Sequence, residues 1–131
     1  MNYLLDTHVF LWACFEPSKL SNKVVEIIEN PKNILFLSSA SIWEISIKMG
    51  IGKLKIISND IDFKLFIEKS IQNLDLKELP VKKEHIFELH KLPYIHKDPF
   101  DRILIAQAIS EGLILITNDS FIQSYEVNYI W

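Results

Sequence analysis

Five carboxylates of this 131-residue chain stand beside apolar runs or at predicted helix starts, where an acidic side chain needs a specific role: Asp6, Glu44, Asp98, Asp101 and Asp119. Carboxylates seldom enter apolar surroundings unpaired, because the charged form loses its hydration there. Several gathered at one place would repel one another and raise one another's pKa values, unless a cation holds them. The pattern therefore predicts a divalent-metal site, and with it hydrolysis or phosphoryl chemistry.

The chemical type of these side chains indicates which ion to expect. Oxygen ligands without cysteine favour hard ions such as Mg²⁺ or Mn²⁺ over zinc. His85, His90 and His96 match no common zinc spacing, and two of them fall in a predicted amphipathic helix. We interpret these three as surface or half-buried histidines. The chain also contains no Gly-x-Ser-x-Gly segment and no phosphate-binding P-loop.

Each carboxylate also has a purely structural interpretation. Asp6 and Asp98 suit the capping of the helices that follow them, Asp101 would complete a box-like pair with Asp98, and Asp119 suits a turn. Ion pairs between residues four positions apart on a helix are open as well: Glu44 with Lys48, and Asp98 with Arg102. For one residue at a time these interpretations are about as good as the functional one. Four of them coinciding at the same end of one sheet is much less expected.

The elements that position these residues follow from the alternation of short apolar runs with helical segments. The predicted strands cover residues 2–5, 34–37, 74–79, 113–116 and, at an edge, 125–131. The predicted helices cover 7–15, 22–28, 40–49, 60–73, 84–92 and 99–111. This order predicts an α/β fold with a mainly parallel central sheet, in which ligands lie beyond the carboxyl ends of the strands. Asp6 and Asp119 follow such ends, and Glu44 and Asp101 come early in the next helices, so one pocket can collect them.

Composition narrows the class of protein. The length, with 49% hydrophobic and 24% charged residues, predicts one globular domain over 1–131. A net charge of −3 excludes a general nucleic-acid binder, so a nucleic-acid substrate would depend on local basic patches and on bound metal. The single Cys14 suits a reducing cytoplasm, and no apolar run approaches the ~20 residues of a membrane span. We expect a cytoplasmic protein that is not inserted in a membrane.

Four segments, in order and covering essentially the whole chain, have a familiar pattern: Leu4-Leu5-Asp6-Thr7-His8, then Ser39-x-x-Ile42-Trp43-Glu44-Ile45 with Lys48, then the run from Asp98-Pro99-Phe100-Asp101-Arg102 to Ala108, then Thr117-Asn118-Asp119-x-x-Phe. Together they resemble the PIN-domain family, and most of all the VapC-type toxins of bacterial toxin–antitoxin pairs. The third segment is the most specific and the first is the weakest.

The resemblance implies a Mg²⁺- or Mn²⁺-dependent endoribonuclease on a three-layer α/β/α sandwich. It puts the metal-binding quartet on Asp6, Glu44, Asp101 and Asp119, and Asp98 at an extra acidic place of this subgroup. About one helical turn separates Asp98 from Asp101, so one can bind the ion while the other orients it, and the sequence leaves open which does so. Candidates for holding the RNA backbone are Lys48, Lys53, Lys55, Lys97 and Arg102. For any single one of them, plain surface solvation or a local ion pair is the better interpretation.

The resemblance also implies partners. The substrate would be an RNA, with a transfer RNA or a ribosomal RNA loop both consistent, and a cognate antitoxin would plug the cleft with an Arg or Lys. A homodimer is implied too, for which Phe63, Phe66 and Ile67 are candidate contacts unless they cover the domain's own core.

Two alternatives remain. One is a metal-dependent phosphatase or phosphotransfer domain, although His8 stands where a haloacid-dehalogenase-like enzyme would have a second Asp. The other is a non-catalytic RNA- or protein-binding module on the same fold, against which the intact quartet argues.

Overall fold

A parallel sheet is the centre of the structure, a computed structural model that describes residues 1–54 and 60–131. Within those residues five strands pair in the order β3-β2-β1-β4-β5, and every pairing is parallel. The strands are β1 (Asn2–Leu5), β2 (Ile34–Ser38), β3 (Leu76–Leu79), β4 (Ile114–Ile116) and β5 (Tyr129–Ile130). The predicted α/β class with a mainly parallel sheet is confirmed.

Helices connect the strands: α1 (Thr7–Phe15), α2 (Asn22–Glu29), α3 (Ser39–Gly50), α4 (Phe63–Asn73), α5 (Lys83–Lys91), α6 (Pro99–Glu111) and α7 (Ser120–Gln123). A 3₁₀ turn, Pro17–Lys19, follows α1. In the described part of the chain no helix is both long and apolar enough to span a bilayer.

Side chains of the sheet alternate between two apolar layers. Tyr3 and Leu5 of β1 belong to one buried cluster, which α1, α2 and α4 complete. Leu4, between them, belongs to a second cluster with α6 and α7. Because successive side chains of a strand point to opposite faces, these clusters are the two sides of one sheet. The three-layer α/β/α arrangement is confirmed.

Local signals account for most helix boundaries. The Ser21 hydroxyl accepts a hydrogen bond from Val24 N–H at 3.1 Å and so begins α2. Helix α6 has Pro99 at its first position, and Gly112 closes it with φ +67°, a conformation that few residues other than glycine adopt easily. The predicted start and end of this helix are confirmed.

Some expectations were wrong in detail. The predicted strand at 74–79 begins two residues later, because Leu74 caps α4 and Asp75 turns the chain with φ +52°. Helix α7 was not predicted, since four residues hold no helical period.

Phe66 and Ile67 are buried in the core and Phe63 packs against it, so these residues do not offer the dimer surface that the sequence suggested. Lys55 lies outside the described residues.

Candidate functional site

The carboxyl ends of the parallel strands meet at one edge of the sheet, and all five predicted carboxylates lie there. Asp6 follows β1 directly, Asp119 comes shortly after β4, and Glu44 is in the second turn of α3, which follows β2. Asp98 is the N-cap of α6 and Asp101 stands in its first turn. We call these five residues the acidic cluster.

The pKa of Asp101 is affected by all the other residues of the acidic cluster. Burial, followed by the negative charges of Asp98, Asp6, Asp119 and Glu44, raises the pKa of Asp101 from an ordinary value of 3.8 to about 8. Four like charges acting on one carboxyl show that residues from four separate segments have been brought within electrostatic reach of one another. The convergence that the sequence predicted is therefore present.

Asp6 is held by both of its oxygens. Thr117 Oγ1 donates to Oδ2 at 2.8 Å, and the backbone N–H of His8 donates to Oδ1 at 3.4 Å, which caps α1. Burial raises the pKa of Asp6, while the bond from Thr117 and the proximity of His8 lower it and Asp119 raises it further. The capping role proposed as an alternative and membership of the acidic cluster thus coexist.

Thr117 joins the two strand ends, a role that the sequence analysis did not assign to it. Its hydroxyl donates to Asp6 and accepts the backbone N–H of Asp119 at 3.0 Å. Asp119 then caps α7, since its Oδ1 accepts the N–H groups of Phe121 at 2.8 Å and Ile122 at 3.1 Å. The sequence signal for Thr117 is its place in the fourth segment of the resemblance, two residues before Asp119.

Glu44 contains an unsatisfied acceptor. Its Oε2 lies 2.6 Å from Lys48 Nζ, so the pair four residues apart is formed, but the Glu44 side chain is only 3% exposed rather than solvated. Its Oε1 is buried and has no hydrogen-bond partner in the described part of the chain. A buried carboxylate oxygen without a donor is costly, and a cation at that place would satisfy it.

Asp98 and Arg102 do not form the ion pair that their spacing allowed. Asp98 Oδ1 accepts the N–H groups of Phe100 at 2.9 Å and Asp101 at 3.2 Å, which confirms its predicted cap role. Arg102 is 5% exposed, and its Nη1 donates to Pro93 O at 2.8 Å and to the Tyr125 hydroxyl at 2.9 Å. The expectation that Arg102 holds RNA was wrong, because its guanidinium is buried inside the protein.

The three histidines differ from one another. His96 Nε2 lies 3.0 Å from Asp101 Oδ2 and Nδ1 lies 2.9 Å from the Tyr125 hydroxyl, so His96 contacts the acidic cluster, although it was set aside from the sequence. His90 is exposed. His85 is fully buried, and its interpretation as a surface or half-buried residue was wrong. Its Nδ1 accepts Lys82 N–H at 3.0 Å and its Nε2 lies 2.9 Å from Glu111 Oε2.

The donor set of the acidic cluster suits a hard divalent cation. One oxygen each of Glu44, Asp98, Asp101 and Asp119 accepts no hydrogen bond among the residues that the structure describes. In the same residues no three His, Cys or carboxylate side chains already stand as a ready-made group around an ion. The available oxygens, the buried Oε1 of Glu44 and the raised pKa of Asp101 nevertheless fit such an ion, which would favour the charged form of that carboxyl.

An apolar groove lies on the helices that carry Glu44 and Asp101. It has a volume of about 450 Å³ between α3, α5 and α6, and its walls include Trp43, Ile86, Phe100 and Ile103. Trp43 is 63% exposed and meets the edge of the Phe100 ring at a centroid distance of 5.1 Å. Two of its lining residues, Trp43 and Phe100, directly precede Glu44 and Asp101 in the sequence.

Comparisons with known proteins agree with this fold. The family model described as PIN domain matches residues 3–127. A chain of VapBC2 from Rickettsia felis, solved bound to a promoter DNA fragment, is 20% identical with a TM-score of 0.70, over 100% of this chain and 99% of that chain. A chain of DNA-bound VapBC from Salmonella typhimurium is 17% identical with a TM-score of 0.69, over 99% and 97%.

A third similar structure is VapBC-5 from Mycobacterium tuberculosis, a member of the VapBC family of toxin–antitoxin systems. One of its chains is 16% identical with a TM-score of 0.60, over 98% of this chain and 97% of that chain. No curated protein sequence matches the chain.

Proposed function

Because the chain belongs to the PIN-domain family, we propose that it is a divalent-metal-dependent endoribonuclease, the VapC-type toxin of a toxin–antitoxin pair, working in the cytoplasm as one domain over residues 1–131. The observation that carries the proposal is the convergence of five carboxylates at one edge of the sheet, where burial and the other four carboxylates raise the pKa of Asp101 to about 8. So much negative charge at the ligand-binding edge of a parallel sheet is suited to holding a cation against a phosphate.

Asp6, Glu44, Asp101 and Asp119 are the residues that would hold Mg²⁺ or Mn²⁺. When bound, the ion supplies Lewis acidity that activates water and neutralises charge on the scissile phosphate. Asp98 acts beside them by fixing the start of α6, since its Oδ1 is committed to two backbone N–H groups. Asp101 is the better ligand of the two, because it receives the charge of every other member of the cluster.

We propose that exposed lysines bind the phosphate backbone of the RNA. Lys97 directly precedes Asp98, and Lys53 follows the end of α3; both side chains belong to exposed residues. Lys48 is paired with Glu44, so it orients that carboxylate as well as adding positive charge. With the overall charge at −3, these lysines and the bound cation together make the edge acceptable to an RNA such as a transfer RNA or a ribosomal RNA loop.

A cognate antitoxin is the proposed protein partner. The VapBC structures that this chain resembles support it, and the apolar groove between α3, α5 and α6 suits a helix whose apolar face covers Trp43 and Phe100. An Arg or Lys following that helix would reach the carboxylates and neutralise them. We also propose a homodimer, through a surface other than Phe63, Phe66 and Ile67, because these three side chains serve the core. A monomer in light scattering at high micromolar concentration would contradict the dimer.

The function is tested by cleavage of structured RNAs. Purified protein, stripped of metal with EDTA, is incubated with transfer RNA and ribosomal RNA fragments at increasing Mn²⁺, with Asp6→Asn as the control. We expect cleavage by the parent protein only with Mn²⁺, and none by the control. RNA binding without cleavage would indicate a binding module, and hydrolysis of small phosphate esters without RNA cleavage would indicate a phosphatase.

A further inference from the structure

The imidazole of His96 is held on every side. Nε2 lies 3.0 Å from Asp101 Oδ2, and Nδ1 lies 2.9 Å from the Tyr125 hydroxyl. One face stacks on Phe121, with ring centroids 5.3 Å apart and planes 9° from parallel, and Tyr125 meets the ring at 64°. Only 10% of the side chain is exposed. A ring fixed in this way has one orientation toward Asp101.

The Tyr125 hydroxyl decides which nitrogen of that ring carries the proton. Its oxygen accepts from Arg102 Nη1 at 2.9 Å and from the backbone N–H of His96 at 3.3 Å. Guanidinium and backbone N–H groups can only donate, and these two donors occupy both lone pairs of the phenolic oxygen. The hydroxyl hydrogen is then left for the third neighbour, which is Nδ1 of His96.

The protonation of Nε2 follows from that arrangement. Since Nδ1 accepts from Tyr125, a neutral imidazole carries its hydrogen on Nε2, which faces Asp101. Nε2 therefore donates to Oδ2 of Asp101. The result is a directed series of hydrogen bonds that runs from the buried Arg102 through Tyr125 and His96 to the acidic cluster.

The other oxygen of Asp101 is left without a donor. Among the described residues Oδ1 accepts no hydrogen bond, while the backbone N–H of Asp101 is taken by Asp98 Oδ1 at 3.2 Å. Asp98 thus fixes the main chain of Asp101, and His96 fixes its side chain. Phe121 stands two residues after Asp119, so the stack also ties α7 to the start of α6.

We propose that His96 is a positioning residue for Asp101: Arg102 and Tyr125 set its Nε2–H tautomer, and this N–H holds Oδ2 so that Oδ1 is the oxygen presented to a divalent cation. The inference rests on the proposed function to the extent that Asp101 binds the cation. Residues that hydrogen-bond a metal ligand from behind typically contribute 10- to 100-fold in metal affinity or rate. The competing explanation is that His96 only anchors the segment before α6 to α7.

The tautomer is measured directly in the metal-free protein. Nitrogen-15 NMR of histidine side chains distinguishes a protonated from a bare ring nitrogen, and His96→Gln assigns the signals. We expect Nε2–H and bare Nδ1 in the parent protein, and a mixture of tautomers in Tyr125→Phe, which keeps the ring but removes the hydroxyl. Nδ1–H in the parent, or an unchanged tautomer in Tyr125→Phe, would overturn the proposal.

Two substitutions at His96 separate positioning from anchoring. His96→Phe keeps an aromatic ring against Phe121 and removes both nitrogens, whereas His96→Gln keeps an N–H donor that can reach Asp101. We expect His96→Phe to lose roughly 10- to 100-fold in Mn²⁺ affinity, measured by calorimetry, with a parallel loss of RNA cleavage. His96→Gln should stay within a few-fold of the parent, and thermal melts confirm that both variants are folded.

A third comparison combines the substitutions. If Tyr125 acts through the tautomer of His96, Tyr125→Phe weakens Mn²⁺ binding in the parent and has little effect in His96→Gln, since an amide N–H needs no tautomer. Equal effects in both backgrounds would contradict the proposed order of action. If His96→Phe binds Mn²⁺ as tightly as the parent protein, the proposed role of His96 is overturned, while the proposed function of the protein is not. A parent protein that binds no Mn²⁺ would overturn the proposed function, and the role of His96 with it, whatever the tautomer.

Discussion

Two histidines of this protein make nearly the same contact in different surroundings. His85 Nε2 lies 2.9 Å from Glu111, and His96 Nε2 lies 3.0 Å from Asp101. His85 is fully buried and joins α5 to α6. The side chain of its partner Glu111 is 35% exposed. His96 faces a carboxyl whose pKa is raised to about 8 by burial and by four other carboxylates. The same pair therefore lies between two helices in one place and against the acidic cluster in the other, and the surplus of negative charge distinguishes the two surroundings.

The largest expected contrast is between the two carboxylate partners. Asp101→Asn should reduce RNA cleavage by more than roughly 100-fold, beyond what residues behind the metal ligands contribute, while the protein stays folded. Glu111→Gln should cleave like the parent. Single-turnover cleavage at saturating Mn²⁺, with circular dichroism of each variant, measures both. Cleavage by Asp101→Asn at the parent rate, with Asp98→Asn inactive, would mean that the metal ligand is Asp98.

Mn²⁺ should stabilise the folded protein only when the acidic cluster is intact. An ion that binds the folded state alone, at about 100 times its dissociation constant, adds roughly 2.7 kcal/mol to the free energy of unfolding. We expect Mn²⁺ to raise the melting temperature of the parent protein and of Glu111→Gln, and to raise it much less in Asp6→Asn and Asp119→Asn. Equal shifts in all four proteins would show that the ion binds elsewhere.

The His85 contact should matter for stability alone. His85→Leu leaves the Lys82 N–H and the Glu111 carboxylate without their partner, which should lower the free energy of unfolding by about 1–3 kcal/mol. Urea unfolding measures this loss. Mn²⁺ affinity of the folded variant should remain that of the parent, and a weakened affinity would show that the two regions are coupled through α6.

Asp98 should combine the behaviour of both regions on a smaller scale. Asp98→Ala removes the cap of α6 and should lower the free energy of unfolding by about 1 kcal/mol. Asp98→Asn retains a capping side chain, so its stability should be close to that of the parent. Both variants lose the carboxylate beside Asp101 and should weaken Mn²⁺ affinity or cleavage by roughly 10- to 100-fold. Unfolding by urea and calorimetric titration separate the two effects.

A slope of stability with pH is the remaining expected effect, and it concerns the metal-free protein. The pKa of Asp101 is about 8 in the folded state against an ordinary 3.8, so between these values the folded state binds more protons than the unfolded state. The contribution of Asp101 to the free energy of unfolding is therefore greatest below pH 4, and it declines as pH rises toward 8. Solvent screening reduces its size, because the side chain is partly exposed. Urea unfolding in EDTA should give a steeper decline for the parent than for Asp101→Asn, and equal declines would contradict the raised pKa.

The sequence predicted those features whose signals are local. Ser21 before α2, and Asp98-Pro99 and Gly112 around α6, stand within a few residues of the backbone groups that they cap or turn. The carboxylates of the acidic cluster were also predictable, because strand ends of a parallel sheet meet at a known edge.

What the sequence did not predict depends on contacts between distant residues. Thr117 bonds Asp6 across 111 positions, and His96 meets Tyr125 across 29. His85 looked like a residue of an ordinary amphipathic helix, and only the packing of α5 on α6 buries it. Arg102 looked like a surface cation because nothing nearby in sequence reveals that the Tyr125 hydroxyl receives it.

The position of β1 in the middle of the sheet has a consequence for synthesis on the ribosome. Its neighbour β4 and the Thr117 bond to Asp6 come more than 100 residues later in the chain. At roughly 5–20 residues per second, translation separates Asp6 from Thr117 by on the order of 5–20 s. A nascent chain therefore cannot assemble its acidic edge until Thr117 and Asp119 have been synthesised, long after Asp6 has left the ribosome.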